Sequence, residues 1–138
     1  MDRMLENILA VDPESNILLN INMDSPGWYV KQFPDTRVIW HDGEVGKGVS
    51  WASERWRKDS AETVRAMMKY LAAKPYASRI CGVFFSGGYD GQWWHHLNWR
   101  FPFKLTDYHP DMLNRFRGYL RTIYKNDVDV LRKAWCNQ

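Results

Sequence analysis

Two short apolar runs constrain the fold of this chain most: Ile17 to Met23 (Ile-Leu-Leu-Asn-Ile-Asn-Met) and Ile80 to Ser86 (Ile-Cys-Gly-Val-Phe-Phe-Ser). Both show little polar alternation, the pattern of strands covered on both faces. Helical spacing surrounds them. Met4, Leu5, Ile8 and Leu9 share a face over residues 2–10, and Asp12-Pro13 stops that helix, because the residue before proline is pushed out of the helical region. Val64, Met67, Met68 and Leu71 form a stripe over residues 59–74, with Asp59 and Glu62 at capping-box spacing and Pro75 beyond the end. A helix over residues 107–124 has Pro110 in its first turn and a predicted buried face of Met112, Leu113, Phe116, Tyr119, Leu120 and Ile123. Asp127 is expected to cap a last helix over Val128–Trp135.

The resulting order is helix, strand, long loop, helix, strand, long loop, helix, helix. That alternation predicts an α/β fold of parallel strands joined by right-handed crossover helices. Residues 1–138 read as a single domain. Such folds place their sites at the C-terminal ends of the strands. Both long loops follow strands, so both are expected on that side.

The loops are where the aromatic residues gather. Aromatic residues make up 15% of the chain, including eight Trp, and most lie outside the helical stripes. Residues 24–58 hold Trp28, Tyr29, Phe33, Trp40, Trp51 and Trp56 with little periodicity, apart from a short strand expected over Arg37–Trp40. A compact domain seldom carries ~15 residues of irregular chain without a functional reason.

Charge and cysteine content exclude other classes. The net charge is +3, from 19 basic and 16 acidic residues. The basic residues are spread out rather than concentrated on one face, which argues against nucleic acid as a partner. No apolar stretch reaches the ~18 residues of a membrane span. The Met-Asp-Arg-Met start lacks the pattern of a secretory leader, so the cytoplasm is the expected location. Cys81 reads as a small buried hydrophobe and Cys136 as a residue near the end, without metal-ligand spacing. No metal and no cofactor are expected.

Three constellations carry candidate chemistry. The first closes the first strand: Asn22, Asp24 and Trp28. A Trp face stacks on the C–H face of a sugar, while carboxylates and amides take paired hydrogen bonds from its hydroxyls. The competing reading makes Trp28 a lid on the core and Asp24 a turn cap. The second constellation is Gly87 to His96, with Asp90 as carboxylate and Gln92, Trp93, Trp94 and His95 as binding residues. His95 and His96 are adjacent and point different ways, so polar contacts suit them better than metal ligation. The third is Trp40 with Asp42 and Glu44. No nucleophile elbow or dinucleotide fingerprint is present, and the Gly-rich run lacks the Lys of a phosphate loop.

Asp107-Tyr108-His109-Pro110, Phe116-Arg117-Gly118-Tyr119-Leu120-Arg121, Tyr124 and Leu131-Arg132-Lys133-Ala134-Trp135 resemble a segment of the beta-galactosidase-like glycoside hydrolases of family 42 and their relatives. Asn20 to Trp28 and Gly87 to Trp93 look like further parts of such enzymes. The resemblance implies a (β/α)8 barrel that hydrolyses a glycosidic bond with two carboxyl groups. A full barrel needs ~250 residues, so the chain is expected to form a partial barrel completed by homo-oligomerisation. Relatives place a Glu at the end of the strand corresponding to Ile80–Ser86, and some carry Gly-Glu-Trp where this chain reads Gly91-Gln92-Trp93, but an amide transfers no proton. The candidate catalytic carboxylates are therefore Asp90, Asp24, Asp42 and Glu44. The candidate sugar contacts are Trp28, Asn22, Trp40, Gln92, Trp93, Trp94 and His95. The expected activity is glycoside hydrolysis on a carbohydrate substrate; the alternative is a carbohydrate-binding remnant or truncated barrel fragment without turnover.

Overall fold

The computed structural model describes residues 1–88, 91–93 and 104–136. Its elements run α1 (Asp2–Val11), β1 (Ile17–Asn22), α2 (Gly27–Gln32), β2 (Arg37–Ile39), β3 (Val45–Val49), α3 (Glu54–Ala72), β4 (Ile80–Ser86), α4 (Pro110–Ile123) and α5 (Val128–Trp135). They gather into two compact units: residues 1–24 with 58–96, and residues 25–57 with 97–138.

The first unit is built on the two apolar runs. β1 and β4 pair in parallel, with Leu19 opposite Val83, Asn20 opposite Phe84 and Asn22 opposite Ser86. This is the mixed α/β arrangement with a parallel sheet that the alternation predicts. The sheet has two strands, and the described residues close no barrel. Leu5 from α1 and Leu71 from α3 pack with Ile17, Leu19 and Tyr76, and Leu9, Met67, Ile80 and Val83 extend the cluster. Burial of each such side chain contributes about 1.5–3 kcal/mol. Asp2 ties α1 down: its carboxylate accepts hydrogen bonds from Lys74 Nζ at 2.7 Å, from Tyr76 Oη at 2.9 Å and from the Tyr70 hydroxyl.

Two expectations are corrected here. The strands are not covered on both faces. Both helices that feed the cluster lie on the Ile17–Leu19 side, so Leu18 (66% exposed) and Phe84 (53%) face outward. Cys81 is exposed rather than buried. The β1–β4 register shifts between Ile17 and Leu18, and Cys81 there donates from Sγ to the Ile17 carbonyl at 3.4 Å.

The second unit holds an antiparallel pair, β2 with β3. Its turn closes through Trp40 N–H to Glu44 O and Gly43 N–H to Trp40 O, both at 2.9 Å. Tyr29, Val38, Trp40, Val49 and Ala52 are buried. The Tyr29 ring meets those of Phe33 and Trp56, each at 4.9 Å between centroids. Residues 105–108 run beside the hairpin, where His41 N–H donates to Leu105 O (3.0 Å) and Tyr108 N–H to Ile39 O (2.8 Å). α3 begins at Glu54, earlier than the capping-box spacing at Asp59 predicts. Two caps meet there: Ser53 Oγ accepts from Trp56 N–H at 3.4 Å, and, from far along the chain, the Asp111 carboxylate accepts from Glu54 N–H at 2.9 Å. Asp111 is itself fixed by His109, whose Nδ1 accepts from Asp111 N–H at 3.1 Å. The opposite ring nitrogen then carries the proton and donates to Asp35 O at 2.8 Å.

Pro110 opens α4, and Asp127 caps α5 through Asp129 N–H (2.9 Å) and Val130 N–H (3.0 Å), as the sequence predicts. The predicted buried face of α4 is not buried: Phe116, Tyr119 and Ile123 are 45–60% exposed. The Phe116 ring meets that of Trp135 of α5, with ring centroids 6.1 Å apart.

Candidate functional site

The polar end of the parallel pair is assembled by short hydrogen bonds around Ser86. Its carbonyl accepts from Met23 N–H at 2.7 Å. Its buried hydroxyl donates to Asn20 Oδ1 at 2.7 Å. Asn22 Oδ1 accepts from Asp24 N–H, and Asp24 Oδ1 accepts from Gly88 N–H, each at 2.7 Å. The ends of β1 and β4 are thus cross-linked by an Asn–Asp–backbone chain, with both Asn22 and Asp24 exposed.

The turn after β4 brings Trp93 back over the strand end. Gly88 (φ +73°) and Gly91 (φ +72°) take left-handed conformations, and so does Trp93 itself (φ +61°). A non-glycine residue in that region is held there by its surroundings. The surroundings are a Trp93 N–H bond to Gly87 O at 2.6 Å and an indole Nε1–H bond to Phe85 O at 3.3 Å. Gly87 makes room: a Cβ there would stand 3.2 Å from the indole ring. Trp93 remains 44% exposed, so it presents an anchored aromatic face to solvent. Gln92 is exposed beside it. Asp90, Trp94, His95 and His96 lie outside the described residues.

The remaining candidates belong to the second unit. Trp28 is 62% exposed, its ring edge-on to Tyr29 at 5.7 Å. Trp40 is only 5% exposed; a ring that stacks on a sugar needs an open face, so its role in this unit is packing. Asp42 and Glu44 both grip Lys104, Asp42 at 2.9 Å. The Lys104 ammonium, with Glu44 N–H second, holds the Asp42 carboxyl below the ordinary carboxylate range. The two carboxylates, Glu44 first, push Lys104 up in turn. A carboxylate held ionised stabilises positive charge and does not serve as a proton donor. A cleft of about 380 Å³ in the same unit is lined by Arg37, Glu54, Arg55, His109 and Asp111 among others, and by none of the sequence-predicted residues.

Of the sequence-predicted residues, the structure brings Asn22, Asp24, Gln92 and Trp93 to one strand end and places Trp28, Trp40, Asp42 and Glu44 in the other unit. Sequence reasoning missed Ser86 and Lys104. Ser86 is detectable as the small polar residue that ends an apolar run. Lys104 carries no local signal, because its partners lie 62 and 60 positions closer to the N-terminus. Among the described residues no cluster of His, Cys, Asp and Glu is arranged to hold a metal, and no helix is long and apolar enough to cross a membrane. Neither family models, nor curated proteins, nor solved structures match the chain.

Proposed function

We propose that this chain is a carbohydrate-active domain of glycoside-hydrolase type that receives a sugar at the C-terminal end of the β1–β4 pair. The observation that carries the reading is the anchored Trp93 face above the Asn22–Asp24–Gly88 cross-link. An aromatic platform beside fixed amide and carboxylate groups meets both sides of a pyranose, its C–H face and its hydroxyl edge. The resemblance to beta-galactosidase-like hydrolases of family 42 points the same way. In this reading Asp24 and Asp90 are the carboxyl pair and Gln92 binds a hydroxyl. Among the described residues the two-stranded sheet has open edges and a face that carries exposed Leu18 and Phe84; further copies of the chain would complete the partial (β/α) barrel, since exposed strand edges otherwise invite uncontrolled pairing.

A second reading, sugar binding without turnover, is favoured by one specific contact. Asp24 spends one oxygen on Gly88 N–H at 2.7 Å, and a carboxylate tied to a backbone donor is a positioning group before it is an acid or base. A panel of aryl β-glycosides, measured for binding and for release of the phenol, tests both. Hydrolysis that Asp24→Asn and Asp90→Asn each abolish supports the first reading. Binding that Trp93→Ala abolishes, with no release by the wild type, establishes the second. No binding and no release with any glycoside overturns both.

A further inference from the structure

The open face of the β1–β4 sheet carries an unused feature next to this site. Leu18, Asn20 and Asn22 of β1 share it with Gly82, Phe84 and Ser86 of β4, since Leu18 pairs with Gly82, Asn20 with Phe84 and Asn22 with Ser86. None of these side chains is charged. Both asparagines have their carbonyl oxygens occupied, Asn20 by the Ser86 hydroxyl and Asn22 by Asp24 N–H. Among the described residues neither side-chain NH2 group meets an acceptor, and both residues are exposed. Two residues along a strand lie on the order of 7 Å apart. The face therefore presents two outward N–H donors of fixed orientation, with the half-exposed Phe84 ring (53%) directly beside Asn20. It is continuous with the strand-end site, because the turn carrying Trp93 folds over Ser86: a Cβ on Gly91 would stand 3.2 Å from Ser86 Cβ.

Resting on the carbohydrate reading above, we infer that Asn20 is a specificity-determining residue of that site, donating to a sugar hydroxyl while the sugar's apolar face lies on Phe84, and that Ser86 is its positioning residue. The chemistry selects the ligand class. A face without charge does not single out phosphate, carboxylate or ammonium groups. Paired amide donors beside an aromatic ring suit a neutral, many-oxygened molecule with an apolar side. Ser86 matters because an asparagine side chain free to rotate offers solvent its oxygen as readily as its NH2; a donor to Oδ1 removes that choice.

Asn20→Asp separates this role from folding. It keeps the shape and the acceptor for Ser86, and replaces the outward donor with an oxygen. Binding of the full chain to the aryl β-glycosides and to their monodeoxy analogues is measured by calorimetry for the wild type, Asn20→Asp, Asn20→Ala, Ser86→Ala and Trp93→Ala. The expected result is a loss of about three- to tenfold in affinity for both Asn20 variants, the range of one net hydrogen bond, and a smaller loss for Ser86→Ala. The loss should vanish with the one deoxy analogue that lacks the oxygen Asn20 contacts. If Trp93→Ala weakens binding but the Asn20 variants bind every glycoside as the wild type does, this inference fails and the site reading stands. A uniform loss across all analogues, deoxy forms included, makes Asn20 structural and also overturns it. A wild type that binds no glycoside removes the site reading and this inference with it.

Discussion

The hairpin of the second unit contains a built-in comparison of two glycines on one strand. A Cβ on Gly46 would stand 2.4 Å from Val38 Cγ1 and 3.0 Å from the Trp40 ring, whereas a Cβ on Gly48 would meet nothing within 4 Å. Carbon atoms rest at about 3.5–4.0 Å, so Gly46→Ala requires a displacement of more than about 1 Å. Val38 and Trp40 are only 2% and 5% exposed, and a short branched side chain and a buried indole cannot swing into solvent. Overpacking of this kind costs about 1–3 kcal/mol. Gly48→Ala meets no such resistance and restricts the unfolded chain, a gain of about 0.4–1 kcal/mol. The two variants should therefore differ by roughly 1.5–4 kcal/mol in the stability of this unit. At about 4–8 °C per kcal/mol for a unit of this size, that is a separation well outside measurement error. Thermal unfolding followed by near-ultraviolet circular dichroism suits the comparison, because the displaced ring is an indole. Equal midpoints for the two variants, with an unaltered Trp signal in Gly46→Ala, would refute the packing described around Trp40.

The Asp2 cluster predicts a pH dependence with two limbs. Hydrogen bonds from Lys74, then Tyr70 and Tyr76, hold the Asp2 carboxyl far below the ordinary carboxylate range, and hydrogen bonding to Asp2, then Tyr70, raises Lys74 above its usual value. The Asp2 contribution is thus complete above the unfolded pKa of about 3.9 and is lost as pH falls further; that of Lys74 is complete below about 10.4 and is lost as pH rises. Asp2→Asn should flatten both limbs of a stability-versus-pH curve for the first unit, and an unchanged curve would contradict the cluster. At α5, Asp127→Ala removes acceptors for two N–H groups and should cost about 1 kcal/mol, read as faster amide exchange at Asp129 and Val130 with α4 unaffected.

What the sequence disclosed follows from the range of the interactions involved. The caps at Pro110 and Asp127 act within three residues, and both are legible. The start of α3 rests on two caps of different range: Ser53 Oγ accepts from Trp56 N–H three residues on, whereas the cap from Asp111 to Glu54 spans more than fifty positions and carries no local signal. β3 is hidden for a different reason: the two glycines of Val-Gly-Lys-Gly-Val lower its strand propensity, and Gly46 is required there by the bulk of Val38 and Trp40 opposite it. Asp42 and Glu44 are visible as acids in an aromatic loop, but their partner Lys104 is not, so the sequence shows two free carboxylates where the fold makes an ion-paired clasp.

β1 shows how a run of apolar letters conceals a two-sided strand. Ile-Leu-Leu-Asn-Ile-Asn looks uniformly apolar when counted, and counting predicts burial on both faces. Taken alternately it separates into Ile17, Leu19 and Ile21 on one side and Leu18, Asn20 and Asn22 on the other. In the first set Ile17 and Leu19 pack with Leu5 of α1 and Leu71 of α3, and Ile21 is half-buried; the second set is exposed. Leu18 is the one residue that blurs the alternation, and it is 66% exposed. β4 blurs it further, because Phe84 and Phe85 are both apolar though they point to opposite faces, and both remain exposed. The asparagines are therefore not the polar end of a buried strand but a face in their own right. That changes where a ligand is sought: along the sheet from Asn20 to Trp93, and not only in the loops beyond it.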